Sequence, residues 1–508
     1  MNKRIFIDDI WKVNDNEFMI MGRVQSIINS NVAIKDYSGT IILTLDAGKY
    51  DLNVNDIVSV VVVKQNGIIK VKECNVLLST ACRDEETTLL RNYLDRYNVE
   101  FFRKINSLED SVRDFLKKEK FIELRNPILW VPVQEYGTKE WRIQNPITKE
   151  TPYILLQSPN ILNLISTVAG IERNFQFHPC FRLAEENSLA RNDSLIEFTQ
   201  LAITAAFLTN EEAMRLIEDM FFYIIKKHFD IEIEKPFEIL DYHESMKLYS
   251  TDHPDLRFRK FYRPSFIING YKYTGLIIPA YVNKKIEEFL INKTYQQDRE
   301  NSNFFSYDEN KTLKQKLGDI KADYLIDEWF ENNEIEKVGY ILLLPSSIET
   351  DIFYNRISKT LYPKLFGKVE KYKFCWIKNY PFINELEYDS QSLHDAIGQN
   401  IFTKRIRNSN DTEGIDLVLN GIEIASGGQK VNTAEEFIES LELLKIKDKQ
   451  KNYDYFIKVL KTGAPPLFSI GIGWERTLLA LFETKTISDV MVFPKDQFGN
   501  PEIISICE

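Results

Sequence analysis

A chain of 508 residues, 44% hydrophobic and 27% charged, is too long for one ordinary core and too apolar for a disordered or fibrous protein, which predicts two or three globular domains. A net charge of −11 excludes nucleic-acid binding through the average field, so any RNA contact needs a local basic surface. No apolar run reaches the roughly eighteen residues of a membrane span, the start MNKRIFIDDIW predicts no secretory leader, and cysteines 74, 82, 180, 375 and 507 form no CxxC pair, which predicts reduced cytoplasmic thiols and no structural zinc.

In chain order, residues 1–82 read as short β-branched strands (FMIMGRVQSI, NVAIKDYSGTIILTL, DIVSVVVVK, GIIKVKECNVLL) broken by turns, which suits a small barrel of the oligonucleotide-binding (OB) type. Residues 83–106 are charged and helical, as in a hinge or linker. A second helix, SLEDSVRDFLKKEK, is expected to open at Ser107, and FIELRNPILW to follow as a strand. Mixed strands and helices over 107–251 predict an α+β domain. The Lys-, Asn- and Tyr-rich stretch 252–370 reads as an inserted domain, after which 371–508 resumes the mixed pattern.

Four clusters carry chemistry. In FRLAEENSLARNDSLIEFTQL, Arg182 ends an apolar strand and the loop carries Glu185, Glu186 and Arg191, so that an arginine can hold a phosphate and a carboxylate a base edge. A surface loop with solvated ion pairs has the same pattern. In DLVLNGIEIASGGQK, Asp416 and Glu423 are seven apart and converge only if the NG turn folds a hairpin, and converging carboxylates suit Mg²⁺. In FSIGIGWERTLLALF, Gly471 and Gly473 leave room for a nucleotide before a helix whose first turn holds Arg476. In YILLQSPNILNL, Gln157 and Ser158 stand at a strand end before a helix, as in a small-substrate pocket. His394 is the one histidine in a site-like segment, and a lone histidine is more often structural. There is no Ser/His/Asp triad, HExxH, P-loop or Rossmann fingerprint.

Taken in order, these clusters resemble the three signature motifs of class II aminoacyl-tRNA synthetases across nearly the whole chain. FIELRNPIL, with Pro127, is similar to motif 1, FR followed by EFTQL to motif 2, and GIGWER to motif 3. LLQSPN, VAGIERNFQFHPCFR, DLVLNGIEI, GAPP, ISDVMVFPK and the stretch MKLYSTDHPDLR before a long insertion resemble the bacterial aspartyl type. The resemblance implies an OB-type barrel joined to an antiparallel-sheet catalytic domain, ATP and Mg²⁺, an aminoacyl-adenylate intermediate, tRNA as acceptor, a homodimer and no membrane. It places Arg182 on the α-phosphate, Glu185 near adenine, Arg191 in the same ATP-binding loop and Arg476 on the γ-phosphate. Asp416 and Glu423 would serve Mg²⁺. Glu135, Gln157, Ser158, Asn163, Gln200, His394 and Lys430 fall at amino-acid-binding positions.

The departures lie where an aspartyl enzyme reads its substrate. Asn163 stands where the family has lysine, Ala202 where it has aspartate, and Lys430 where it has arginine. Motif 2 carries one extra residue, so either Ala184 or Glu185 meets adenine, and chemistry favours Glu185. On the barrel, Asn31 and Ile42 replace an aromatic and a glutamine that read the anticodon. These changes leave three readings: an enzyme charging tRNA with aspartate or a related amino acid, a paralogue delivering the aminoacyl group to a small molecule or peptide, and an inactive regulator. Arg182, Asp416, Glu423 and Arg476 speak against the last, because a binding module has no need of all four.

Overall fold

The structure is a computed structural model that describes residues 3–45, 49–65, 67–79, 89–91, 93–94, 98–132, 140–149, 152–182, 195–268, 271–279, 284–297, 303–307, 339–383, 400–444, 449–496 and 499–507. The fold is α+β. Its contacts divide the chain into two compact units, Met1–Lys104 with Val492–Asp496 and Asn500–Glu508, and Ile105–Met491 with Gln497–Gly499.

The first unit holds a five-stranded antiparallel sheet of β1 (Glu17–Ile28), β2 (Asn31–Lys35), β3 (Thr40–Thr44), β4 (Ile57–Gln65) and β5 (Ile68–Leu78), in the order β3-β2-β1-β4-β5. The end strands β3 and β5 also touch, which curls the sheet toward a barrel. Alternation along the strands sends Phe18, Ile20, Val24, Val32, Ile34, Val58, Val60 and Val62 into one core. Gly22 is required where β1 meets β2, because a Cβ there would lie 2.4 Å from the Lys35 carbonyl oxygen.

The helix expected to open at Ser107 is longer. It runs Val99–Lys118 with Ser107 in its interior. Its start is set by Asn98, whose side chain accepts a hydrogen bond from the Phe101 amide at 3.2 Å. The FIELRNPILW segment is likewise split, with β6 at Ile122–Glu123 and β7 at Leu129–Trp130, because Pro127 between them has no N–H to give a ladder. β7 joins β8 (Arg142–Gln144) and β9 (Pro152–Leu155) in a small antiparallel sheet.

The second unit is built on an eight-stranded sheet. Its strands are β6, β10 (Arg173–Phe181), β11 (Glu197–Ala206), β12 (Glu238–Asp241), β17 (Phe374–Lys378), β18 (Gly414–Leu419), β19 (Ile422–Lys430) and β20 (Leu467–Gly473). They lie in the order β12-β17-β18-β19-β20-β11-β10-β6, antiparallel except at the two outer pairs. Between β12 and β17 the chain forms a separate antiparallel sheet of β13 (Ser265–Ile268), β14 (Tyr271–Ile278), β15 (Asn303–Tyr307) and β16 (Gly339–Pro345). That sheet and the helix Ile348–Phe366 share a core that includes Leu276, Leu342, Tyr354 and Leu361.

Candidate active site

The register of the large sheet sorts its two faces by chemistry. One cross-strand row runs Gln176, Ala202, Gly471, Ser426, Asp416 from β10 through β11, β20 and β19 to β18. Two residues along, a second row runs Asn174, Thr204, Ser469, Gly428, Gly414. The rows between them, which point to the opposite face, are Phe175, Ile203, Ile470, Gly427, Ile415 and Phe177, Leu201, Ile472, Ala425, Leu417. One face is therefore apolar, and the other presents small and polar residues as a floor.

The hairpin of β18 and β19 delivers both acidic groups to that floor. Asn420 (φ 54°) and Gly421 (φ 82°) make a two-residue turn with both residues left-handed. Val418 then faces Glu423, which puts Glu423 on the same side as Asp416. A bulge follows, since Leu417 pairs with Ala425 and Asp416 with Ser426. The extra residue reverses the alternation of β19 and turns Ser426, Gly428 and Lys430 onto the polar face.

Asp416 is buried, and its Oδ1 has no hydrogen-bond partner among the described residues. Burial first, and the Glu423 charge second, hold its carboxyl well above the ordinary carboxylate range. Arg476, in the helix Trp474–Phe482 that follows β20, approaches Glu423 with Nη1 3.4 Å from the backbone oxygen and 3.8 Å from Oε2. Glu475 beside it accepts from the Thr199 amide at 2.9 and 3.0 Å, tying that helix to β11.

Arg182 follows β10 directly. Its amide bonds to the Ile196 oxygen at 2.9 Å, its Nε lies 3.4 Å from the Gln157 oxygen, and its guanidinium stands over Phe198 at 5.1 Å. Gln157 and Ser158 are buried between β9 and the helix Asn160–Val168, and the Ser158 hydroxyl accepts from the Asn160 amide at 3.1 Å. Gln200 lies across Gly471, where a Cβ would fall 1.5 Å from its Nε2, and its Oε1 accepts from Cys180 Sγ at 3.4 Å. Gly473 stands where the strand turns into the helix.

Asn163 is fully buried in an amide cluster. Its Oδ1 accepts from Asn126 Nδ2 at 2.7 Å and Gln176 Nε2 at 2.9 Å, and Gln176 pairs across the ladder with Ala202. Two of the departures from the aspartyl pattern thus adjoin one glutamine, and a neutral network occupies the place expected for a lysine and an aspartate. Lys430 is also buried, with Nζ 3.3 Å from Thr403 Oγ1. Glu135, Ala184, Glu185, Glu186, Arg191 and His394 lie outside the described residues.

The sequence motifs did not single out Tyr380. It is buried with its hydroxyl beside the Asp416 carboxyl, and burial with the nearby Asp416, Asp252 and Glu423 charges keeps it protonated. No periodicity or spacing marks it, because it stands just beyond β17 and meets Asp416 only through the pairing of β17 with β18.

Residues 84–497 match the family of tRNA synthetases class II (D, K and N). The chain belongs to that family. Among its relatives, an aspartate–tRNA(Asp/Asn) ligase of Dictyoglomus turgidum is 27% identical over 419 residues, covering 77% of this chain and 69% of that protein. An aspartate–tRNA ligase of Buchnera aphidicola is 28% identical over 479 residues, covering 85% and 79%. The crystal structure of asparaginyl-tRNA synthetase from Pyrococcus horikoshii, complexed with asparaginyl-adenylate, shares the fold with a TM-score of 0.60 at 13% identity, over 97% of this chain and 98% of that one. As a class II synthetase the chain has an antiparallel catalytic sheet, and none of its described helices is long and apolar enough to cross a membrane.

Proposed function

We propose that the polar face of the large sheet activates aspartate or a closely related amino acid with ATP and transfers it to tRNA. The family match over residues 84–497 carries this reading. The aspartate ligases among the relatives support the choice of amino acid.

In this reading the substrate carboxylate attacks the α-phosphorus in line. The bond from that phosphorus to the bridging oxygen breaks, and pyrophosphate leaves with the electron pair. A terminal ribose hydroxyl of tRNA then attacks the adenylate carbonyl, and AMP departs. Arg182 holds the α-phosphate and Arg476 the γ-phosphate, so their fixed charges meet negative charge as it develops and moves onto the leaving group. Gln157, Ser158 and Gln200 orient the amino acid, with Asn163 and Lys430 toward its side chain. Gly473 lets the nucleotide approach the strand end, whereas the space over Gly471, expected from the sequence to be open to it, is taken by the Gln200 amide.

Asp416 and Glu423 suit a hard cation. Asp416 keeps an oxygen without a partner although buried. Two carboxylate side chains match the sparse protein ligation of Mg²⁺, which completes its shell with phosphate and water. Bound there, Mg²⁺ would neutralise phosphate charge. Cys74, Cys180 and Cys375 are buried free thiols, in keeping with a reducing, cytoplasmic setting. The resemblance of FIELRNPIL to motif 1, which implies pairing, leads us to place the chain in a homodimer.

Amino-acid-dependent ATP–pyrophosphate exchange, run over all proteinogenic amino acids with and without tRNA, tests the proposal. Exchange with aspartate or asparagine, followed by charging of tRNA, is the expected result. Exchange without charging would move the acceptor away from tRNA, and no exchange with any amino acid would refute adenylation of a standard substrate.

A further inference from the structure

The strand face expected to read RNA is poorly equipped for it. Asn31 spends its Oδ1 on the Thr44 hydroxyl at 3.1 Å, and Ile42, 68% exposed, offers no hydrogen bond and no aromatic ring. The same unit carries an aromatic and cationic array elsewhere. Tyr37, 60% exposed, sits in the turn between β2 and β3, and Phe6, 39% exposed, meets its ring edge-on at 5.8 Å. The Arg103 guanidinium lies 4.1 Å from the Tyr37 ring centre, and that of Arg4 lies 4.8 Å from Phe6.

The array is held in place from below. Asp36 is buried and accepts from the Ser38 amide and hydroxyl at 2.7 Å, the Gly39 amide at 3.1 Å and the Ile7 amide at 3.0 Å. One carboxylate therefore fixes both the turn that carries Tyr37 and the segment that carries Phe6. The Asp8 amide donates to Ser38 Oγ at 2.9 Å, and a Cβ on Gly39 would stand 2.6 Å from Asp8 Oδ1, so the turn seats directly against that segment. Arg103 is anchored by Nη2 on the Tyr37 oxygen at 2.7 Å. Two exposed rings, each with a guanidinium over it, one on the fixed turn and one on the segment it seats against, make a stacking surface whose side-chain entropy is already spent.

Net charge does not oppose the same partner. Residues 1–104 hold fourteen Lys and Arg against fourteen Asp and Glu, so the whole net charge of −11 belongs to the rest of the chain. With Lys495, Asp496, Glu502 and Glu508 of its C-terminal pieces the unit carries only −2 of that charge, so a polyanion meets little net repulsion from it.

We infer that Arg4, Phe6, Tyr37 and Arg103 form a platform that stacks an unpaired RNA base, presented by the tRNA of the proposed reaction. The inference rests on the tRNA half of that reading. Aromatic and arginine planes accept any base through its π-face, so the platform supplies affinity with little sequence preference.

The test measures binding of the full chain to a labelled single-stranded RNA oligonucleotide of mixed sequence and to tRNA transcripts, with pyrophosphate exchange run alongside. Tyr37→Ala is expected to weaken both RNA affinities by roughly 5- to 150-fold. Tyr37→Phe should bind as the parent does, and both variants should keep the parent's exchange rate and melting temperature. Parental RNA affinity in Tyr37→Ala would overturn the inference, and with a lowered melting temperature it would make the array a structural clamp alone. A Tyr37→Phe variant as weak as Tyr37→Ala would overturn stacking, and a parent chain that binds neither RNA would overturn the platform. Tyr37-dependent RNA binding without any exchange would uphold the platform and remove the proposed function.

Discussion

Asp416 sets a conflict between stability and function at a single carboxyl. Its folded-state pKa is raised to about 8 from an ordinary 3.8, so the folded chain favours the protonated form more than the unfolded chain does. The destabilisation it brings is absent at acid pH, grows as pH rises through the unfolded value, and levels off above the folded one. Asp416→Asn removes the buried charge. In the absence of ATP and divalent cation this variant should melt above the parent at pH 8 and alongside it near pH 4, while losing pyrophosphate exchange. Equal melting temperatures at both pH values would show that Asp416 bears no such penalty. Arg476 presents the opposite case. Its Nη1 touches Glu423 at 3.4–3.8 Å and its side chain is partly exposed, so Arg476→Ala should leave melting nearly unchanged. If that arginine grips the γ-phosphate, exchange should fall by about two orders of magnitude or more. Undiminished exchange in this variant would remove Arg476 from the reaction.

At the scale of elements, the strand register decides which motif residues share a face. Gly471 pairs with Ala202 on one side and Ser426 on the other, and the side chain of Gln200 occupies the space above it. Gly471→Ala would push its Cβ into the amide end of Gln200, a flexible group that can swing away. We expect little change in melting temperature and a rise in KM for the amino acid of roughly tenfold, the loss of one charge-assisted hydrogen bond. An unaltered KM would mean that Gln200 does not hold the substrate. Legibility followed the same scale. The strand–GxG–helix of 467–482 and the NG hairpin were readable because each is local, with turn chemistry and hydrophobic periodicity inside one short segment. The bulge in β19 was not readable. It depends on how Leu417 and Ala425 meet across the ladder, yet it is what brings Lys430 to the face of Glu423. The start of the helix Val99–Lys118 was misplaced for the converse reason, because Ser107 and Asp110 imitate a cap inside a longer helix whose start is set by Asn98. Tyr380 was invisible because its role comes from packing beside Asp416 and from no motif.

At the scale of the whole molecule, two units with separate interiors divide the proposed labour. The core around Phe18, Ile20 and Val60 belongs to the first unit, and every described residue proposed to hold ATP or the amino acid belongs to the second. Separate cores of this size predict separate unfolding steps. Calorimetry of the full chain should therefore resolve at least two transitions. A ligand that binds only the folded second unit stabilises that unit alone, by about 2.7 kcal/mol at a hundredfold excess over its Kd. Mg²⁺ and ATP together should thus raise one transition by a few degrees and leave the other in place. In Asp416→Asn the same addition should move neither by as much, because half of the cation site is gone. A single-stranded RNA oligonucleotide should act on the other transition, through the surface around Tyr37. A single transition, moved as a whole by Mg²⁺ and ATP, would show that the units unfold as one and that nucleotide binding is felt across the whole chain.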